Sequence, residues 1–143
     1  MKSLRTLFLL QIAVCLTGCV PYFVFKTILP TAQITVLDDR EQPIESAQVL
    51  LAGDYNPHGG TRRWEEGPHE IKTTNENGVA VFEARREWQT EMLAVHGVRY
   101  YYWHWCIRKP GFKTYVSVQY KFESQAAVRL SRGPSSACPE RFP

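Results

Sequence analysis

Four histidines and four cysteines are the side chains of this 143-residue chain most able to do chemistry. The histidines are His58, His69, His96 and His104. None stands two or four residues from another, the spacing that would aim two imidazoles from one strand or helix at one zinc ion. His58 and His69 share a loop with Glu65 and Glu66, and Glu70 follows. Those donor types suit zinc, but the simpler reading is a set of solvated loop residues. No metal and no cofactor is expected. No nucleophile elbow, Walker motif or zincin motif is present, so nothing in the residue types calls for an enzyme.

The cysteines say more. Cys15 and Cys19 end an N-terminal segment with a recognisable order. Lys2 and Arg5 make a short basic start, Leu7 to Leu16 is apolar except for Gln11, and Thr17-Gly18 are small. That order is the architecture of a secretory signal peptide. Leu16-Thr17-Gly18-Cys19 further resembles the lipobox of bacterial lipoproteins. The resemblance implies that the Cys19 thiol takes a diacylglyceryl group and becomes the new N-terminus. The chemistry requires a thiolate at that point, with small residues before it to fit the signal peptidase. The alternative is a signal anchor, because Leu7 to Phe25 approaches the roughly 20 apolar residues of a membrane span. Pro21 and Thr17-Gly18 argue against one uninterrupted helix. Either way the remainder is exported and membrane-tethered. Two or more acyl chains anchor stably where one holds only marginally. Val20 follows Cys19 in place of Asp, which resembles the default for outer-membrane sorting. The expected location is the outer membrane, facing the periplasm, with the inner membrane or cell surface as alternatives.

Cys15 leaves with the signal and Cys19 is acylated, so Cys106 and Cys138 remain as an even pair in an oxidising compartment. A disulfide between them is the expectation, with two unpaired thiols as the alternative. The net charge is +3, of which Lys2 and Arg5 carry two. No basic stripe interrupts the rest, so nucleic acid is not an expected partner.

These groups must be positioned by strands. Residues 1–18 are read as the signal-peptide helix, 19–31 as lipidated N-terminus and tether, 32–132 as one domain and 133–143 as a tail. Alternating runs predict strands at "AQITVLDD", "SAQVLLAG", "EIKTT", "VAVFEA", "VRYYYWHWCIRK", "FKTYVSVQYKF" and "AAVRLS". Asn75-Glu76-Asn77-Gly78 reads as a hairpin turn, and Pro110-Gly111 as a turn with Pro at its second position. Residues 54–69 read as a long loop. Trp88, Met92 and Val95 fall at i, i+4 and i+7, which predicts one short helix over "RREWQTEMLAV". The pattern is that of an all-β sandwich.

Three blocks in order resemble the carboxypeptidase-regulatory-like, or transthyretin-like, domains. They are Pro43-Ile44 with Ala47 and Val49, Thr74 with Asn77-Gly78 and Phe82, and Lys109-Pro110-Gly111-Phe112. The resemblance spans about residues 32–131. It implies a seven-stranded Greek-key (transthyretin-like, Ig-like) sandwich that is usually non-catalytic and serves as a spacer, folding aid or binding module. A hydrolytic branch of the group ends in Tyr-Arg-Gly-Ser, where this chain has Glu140-Arg141-Phe142-Pro143, so that activity does not carry over.

Within the aromatic strand, Tyr101, Trp103, Trp105 and Ile107 share one face, and Tyr100, Tyr102, His104 and Cys106 the other. One face must be core. A Cys106–Cys138 bridge would drape the tail over the second face; without it, Tyr100, Tyr102 and His104, with His58 and Trp64 of the long loop, form the candidate binding surface. The expected function is a lipid-anchored interaction or structural module with an envelope protein partner. A type VI-like secretion-system lipoprotein is one specific form of it. The alternative is a carrier or sensor of a small ligand at the aromatic face and long loop.

Overall fold

The computed structural model describes residues 21–55, 63–92, 101–119 and 123–141. The signal segment with Cys19, together with His58, His96 and Tyr100, lies outside the described residues. The chain divides into two compact units, residues 1–26 with 86–98 and residues 27–85 with 99–143.

The larger unit is all-β. Strand β2 (Ala32–Asp38) lies between β5 (Val79–Phe82) and β9 (Gln125–Leu130) in a three-stranded sheet. Strands β4 (His69–Thr73), β3 (Gln48–Tyr55), β7 (Tyr101–Arg108) and β8 (Tyr115–Gln119) form a four-stranded sheet in that order. β2 runs antiparallel to β5 and parallel to β9, while every pair in the four-stranded sheet is antiparallel. All seven coincide with the alternating runs of the sequence.

The alternation decides what is core. Ile34 and Val36 of β2, Ala80 and Phe82 of β5, and Val128 and Leu130 of β9 are buried with Val49 and Leu51 of β3 and Trp105 and Ile107 of β7. One core therefore joins both sheets. At its centre the rings of Phe82 and Trp105 meet edge to face, 5.5 Å apart, a favoured aromatic geometry. Trp103 lies on the same face of β7, directly opposite Gly53. A Cβ at Gly53 would come within 2.7 Å of the Trp103 ring, so the missing side chain makes room for the indole.

The Asn-Gly turn joins strands of different sheets and closes no hairpin, because β4 and β5 belong to opposite sides of the core. Its local chemistry is nevertheless that of a tight turn. The Asn75 side-chain oxygen accepts from the N–H groups of Asn77 and Val79, and Gly78 has φ +72°. The Gly78 carbonyl then accepts from Val36 N–H, which pins the crossover to β2. Thr74 staples the same end. Its buried hydroxyl donates to the Ile44 carbonyl and accepts from Ala47 N–H, at 2.6 and 2.8 Å. Pro110-Gly111 behaves as expected, with Phe112 N–H donating to Lys109 carbonyl across the turn.

Two segments differ from the sequence expectation. Residues 85–92 are not helical: Arg85–Met92 forms strand β6, paired with β1 (Pro21–Leu29) in a two-stranded ribbon. The helical spacing of Trp88, Met92 and Val95 coexists with a period of two, and a pairing partner rich in aromatic and β-branched residues decides for strand. That partner falls where a tether was expected. Its last residues, Ile28 and Leu29, are buried, and Leu29 belongs to the domain core.

Candidate functional site: a pocket beside the disulfide

The outer face of the four-stranded sheet carries the side chains whose neighbours point inward. The register sets Gln48 opposite Arg108, Leu50 opposite Cys106 and Ala52 opposite His104, with Ile71 and His69 beside Leu50 and Ala52 on the other flank. Sequence parity had already put His104 and Cys106 together on the face away from Trp103, Trp105 and Ile107, and the latter three line the main core.

The C-terminal segment straps this face. Gly133 N–H donates to Gly111 carbonyl in the turn between β7 and β8. Thr114 donates its hydroxyl to Ser136 carbonyl and accepts from Ser136 N–H, at 2.7 and 2.9 Å. Cys138 is disulfide-bonded to Cys106, their Cα atoms 5.9 Å apart, inside the range a bridge requires. Glu140 then accepts through its carbonyl from Trp64 N–H and through its carboxylate from Arg63, the latter at 2.8 Å. Leu50, Ala52 and Cys106 are thereby buried in a second, smaller cluster against which Trp64 and Cys138 pack. Trp64 opens a single 3-10 turn, Trp64–Glu66, and its ring meets His69 edge-on at 5.1 Å. His69 is held in turn by its Nδ1, which donates to Gly67 carbonyl at 3.0 Å.

Beside the bridge is a pocket of about 180 Å³, walled by Leu50, Ile71, Trp64 and the disulfide, with Gln48 and Arg108 at one end. Arg108 is half-buried. Its Nε is enclosed without a hydrogen-bond partner, and its guanidinium joins none of the ion pairs among the described residues. A guanidinium beside apolar walls, with its donors uncommitted, suits a carboxylate or phosphate carried on an apolar group, since it can bind either in a bidentate fork.

The sequence candidates fare unevenly. Cys106 and Cys138 come together as expected. Trp64 is a pocket wall. His104 is buried, 3% exposed, so it is no part of an open surface. Tyr102 occupies β7 opposite Asp54, and His58 and Tyr100 lie outside the described residues. Among the described residues no group of three His, Cys, Asp or Glu stands close enough to hold a metal ion, and no helix is long and apolar enough to cross a membrane. Arg108, Gln48 and Ile71 were missed. Arg108 sits two residues from Cys106 on the same strand face, a signal that was legible, but Gln48 and Ile71 join it only through cross-strand register. Comparison with known family models, with curated proteins and with solved structures finds no match.

Proposed function

We propose that this chain is an exported, lipid-anchored envelope protein whose β-sandwich is an interaction module, and that it takes its partner at the pocket beside the disulfide. The observation that carries this reading is Arg108, whose guanidinium stands in an apolar pocket and pairs with no acidic residue among the described residues. A partner's acidic group flanked by an apolar side chain supplies both missing contacts. The bridge of Cys106 and Cys138 supports export, because such bonds persist in oxidising compartments. Lipidation at Cys19 and residence in the outer membrane rest on the N-terminal sequence. The three-stranded and four-stranded sheets over one core support a seven-stranded Greek-key sandwich of the transthyretin-like kind. The secretion-system form of the reading is a choice of partner and leaves the site unchanged.

A small-ligand carrier working at this same pocket is less well supported. Pockets for drug-sized ligands span about 300–1,000 Å³, and this one holds about 180 Å³.

The test is cross-linking in intact cells followed by mild detergent extraction, comparing wild type with Arg108→Gln and with Arg132→Gln as a surface control. A partner recovered with wild type and the control but lost with Arg108→Gln supports the reading. Equal recovery from all three removes the pocket from the interface. For the anchor, Cys19→Ser is expected to accumulate as unprocessed precursor without acyl label; normal labelling would overturn lipidation at that residue.

A further inference from the structure

The β1–β6 ribbon has one face that water alone does not explain. Along β1, Phe23 is 77% exposed and Phe25 48%, and along β6 Trp88 is 70% exposed. The two-residue period puts Phe23 and Phe25 on one side of their strand. Trp88 lies on that side too, because its ring is 5.2 Å from the ring of Phe25. The guanidinium of Arg86 stands over the same Phe25 ring, 5.8 Å from its centroid. The opposite side holds the Lys26–Glu91 ion pair and Tyr22, which is 42% exposed. The ribbon is therefore amphipathic, with three aromatic rings and a cation on one face. An isolated two-stranded ribbon is marginal in water at best, so an occupant on that face also steadies the pairing.

We propose that this aromatic face lies against the lipid bilayer, as a collar that sets the domain on the membrane surface next to its acyl anchor. The proposal rests on the lipidation of Cys19. Chain length then argues for bilayer over protein. Phe23 follows Cys19 by four residues, and an extended chain gains at most about 3.6 Å per residue, so Phe23 is held within roughly 14 Å of the acylated residue. The headgroup layer on each side of the hydrocarbon is itself about 6 Å deep. The composition agrees: Trp and other aromatic rings settle at the interface between headgroups and acyl chains, and Arg86, with its guanidinium over the Phe25 ring, adds a cation to the same face.

The test uses the full lipidated protein reconstituted in vesicles of phosphatidylethanolamine and phosphatidylglycerol, with and without bromine on the upper acyl carbons. Trp88 is the most exposed described tryptophan, since Trp64 and Trp103 are half-buried and Trp105 is buried. The expected result is a loss of tryptophan emission to brominated lipid in wild type that is absent in Trp88→Phe. Equal quenching of the two, in a protein that floats with vesicles and carries acyl mass on Cys19, overturns the collar and leaves the anchor standing. A chain without acyl mass that still loses Trp88 emission to brominated lipid overturns the anchor and retains the collar; one that neither floats nor quenches overturns both. Shielding of Trp88 from aqueous acrylamide only when a second protein is present overturns the bilayer in favour of a protein surface. If Trp88→Phe does not accumulate, wild type alone decides: stronger quenching by shallow than by deep bromine supports the collar, and no quenching by either refutes it.

Discussion

Removing the Cys106–Cys138 bridge tests how far the C-terminal strap depends on one bond. The bridge closes a loop with a sequence separation of 32. Chain-entropy reasoning gives a loop of that length ~3.7 kcal/mol at 25 °C. With unfolding entropy scaling at about 2.1 cal/mol/K per residue, a chain processed as proposed to about 125 residues would lose roughly 10–15 °C in melting temperature. The perturbation is Cys106→Ala with Cys138→Ala, compared with wild type treated with a thiol reductant. Reduction breaks the bond without changing side-chain volume, so it separates the cross-link from the cavity left at Cys106, which is fully buried. The strap keeps its Thr114–Ser136 and Arg63–Glu140 contacts in both cases, so partial docking survives. Melting followed by circular dichroism gives the magnitude. Hydrogen exchange at Trp64 N–H, which donates to Glu140 carbonyl 3.2 Å away, gives the location. Faster exchange there, with the strands of the main core unaffected, is expected. Free thiol titrating in the native oxidised protein, or a melting change under about 3 °C, would refute the reasoning.

Thr74→Val should cost about 2–4 kcal/mol, because it orphans a buried carbonyl at Ile44 and a buried N–H at Ala47 together; a urea titration with unchanged slope measures it, and a loss under about 1 kcal/mol would count against the staple. Gly78→Ala should cost more than about 2 kcal/mol, since φ is +72° and the new Cβ would stand 2.5 Å from the Val36 carbonyl oxygen; wild-type stability in that variant would show that the turn relaxes. Asp38 accepts backbone hydrogen bonds from Gln42 and, less strongly, Arg40, which hold its carboxyl below the usual 3.8. Its contribution is therefore fully present above 3.8 and is lost as pH falls through the lowered value. The stability gap between wild type and Asp38→Asn should shrink on acidification below 3.8, and a gap that widens would reverse the sign.

The strands of both sheets were legible in the sequence because a half-buried strand writes its burial into every second residue. Ile34 and Val36, Val49 and Leu51, and Trp105 and Ile107 announce the core side without reference to any partner. The expectation of a bridge came from compartment and parity, and it needed no geometry beyond the even count. The proposed export signal likewise rests on a local pattern, the basic start, apolar run and small residues before Cys19. Tertiary structure decided the rest. Residues 85–92 carry both helical and strand periods, and only pairing with β1 selects the strand. The Asn75–Gly78 turn has hairpin chemistry, yet whether its flanking strands share a sheet depends on which faces are already covered. The pocket exists because Gln48, Leu50 and Ile71 stand beside Cys106 and Arg108 through cross-strand register, a relation between residues tens of positions apart. A local pattern fixes the direction in which a side chain points relative to its own backbone. What it meets there is set by long-range pairing, where a shift of one residue would turn Arg108 into the core and dismantle the site.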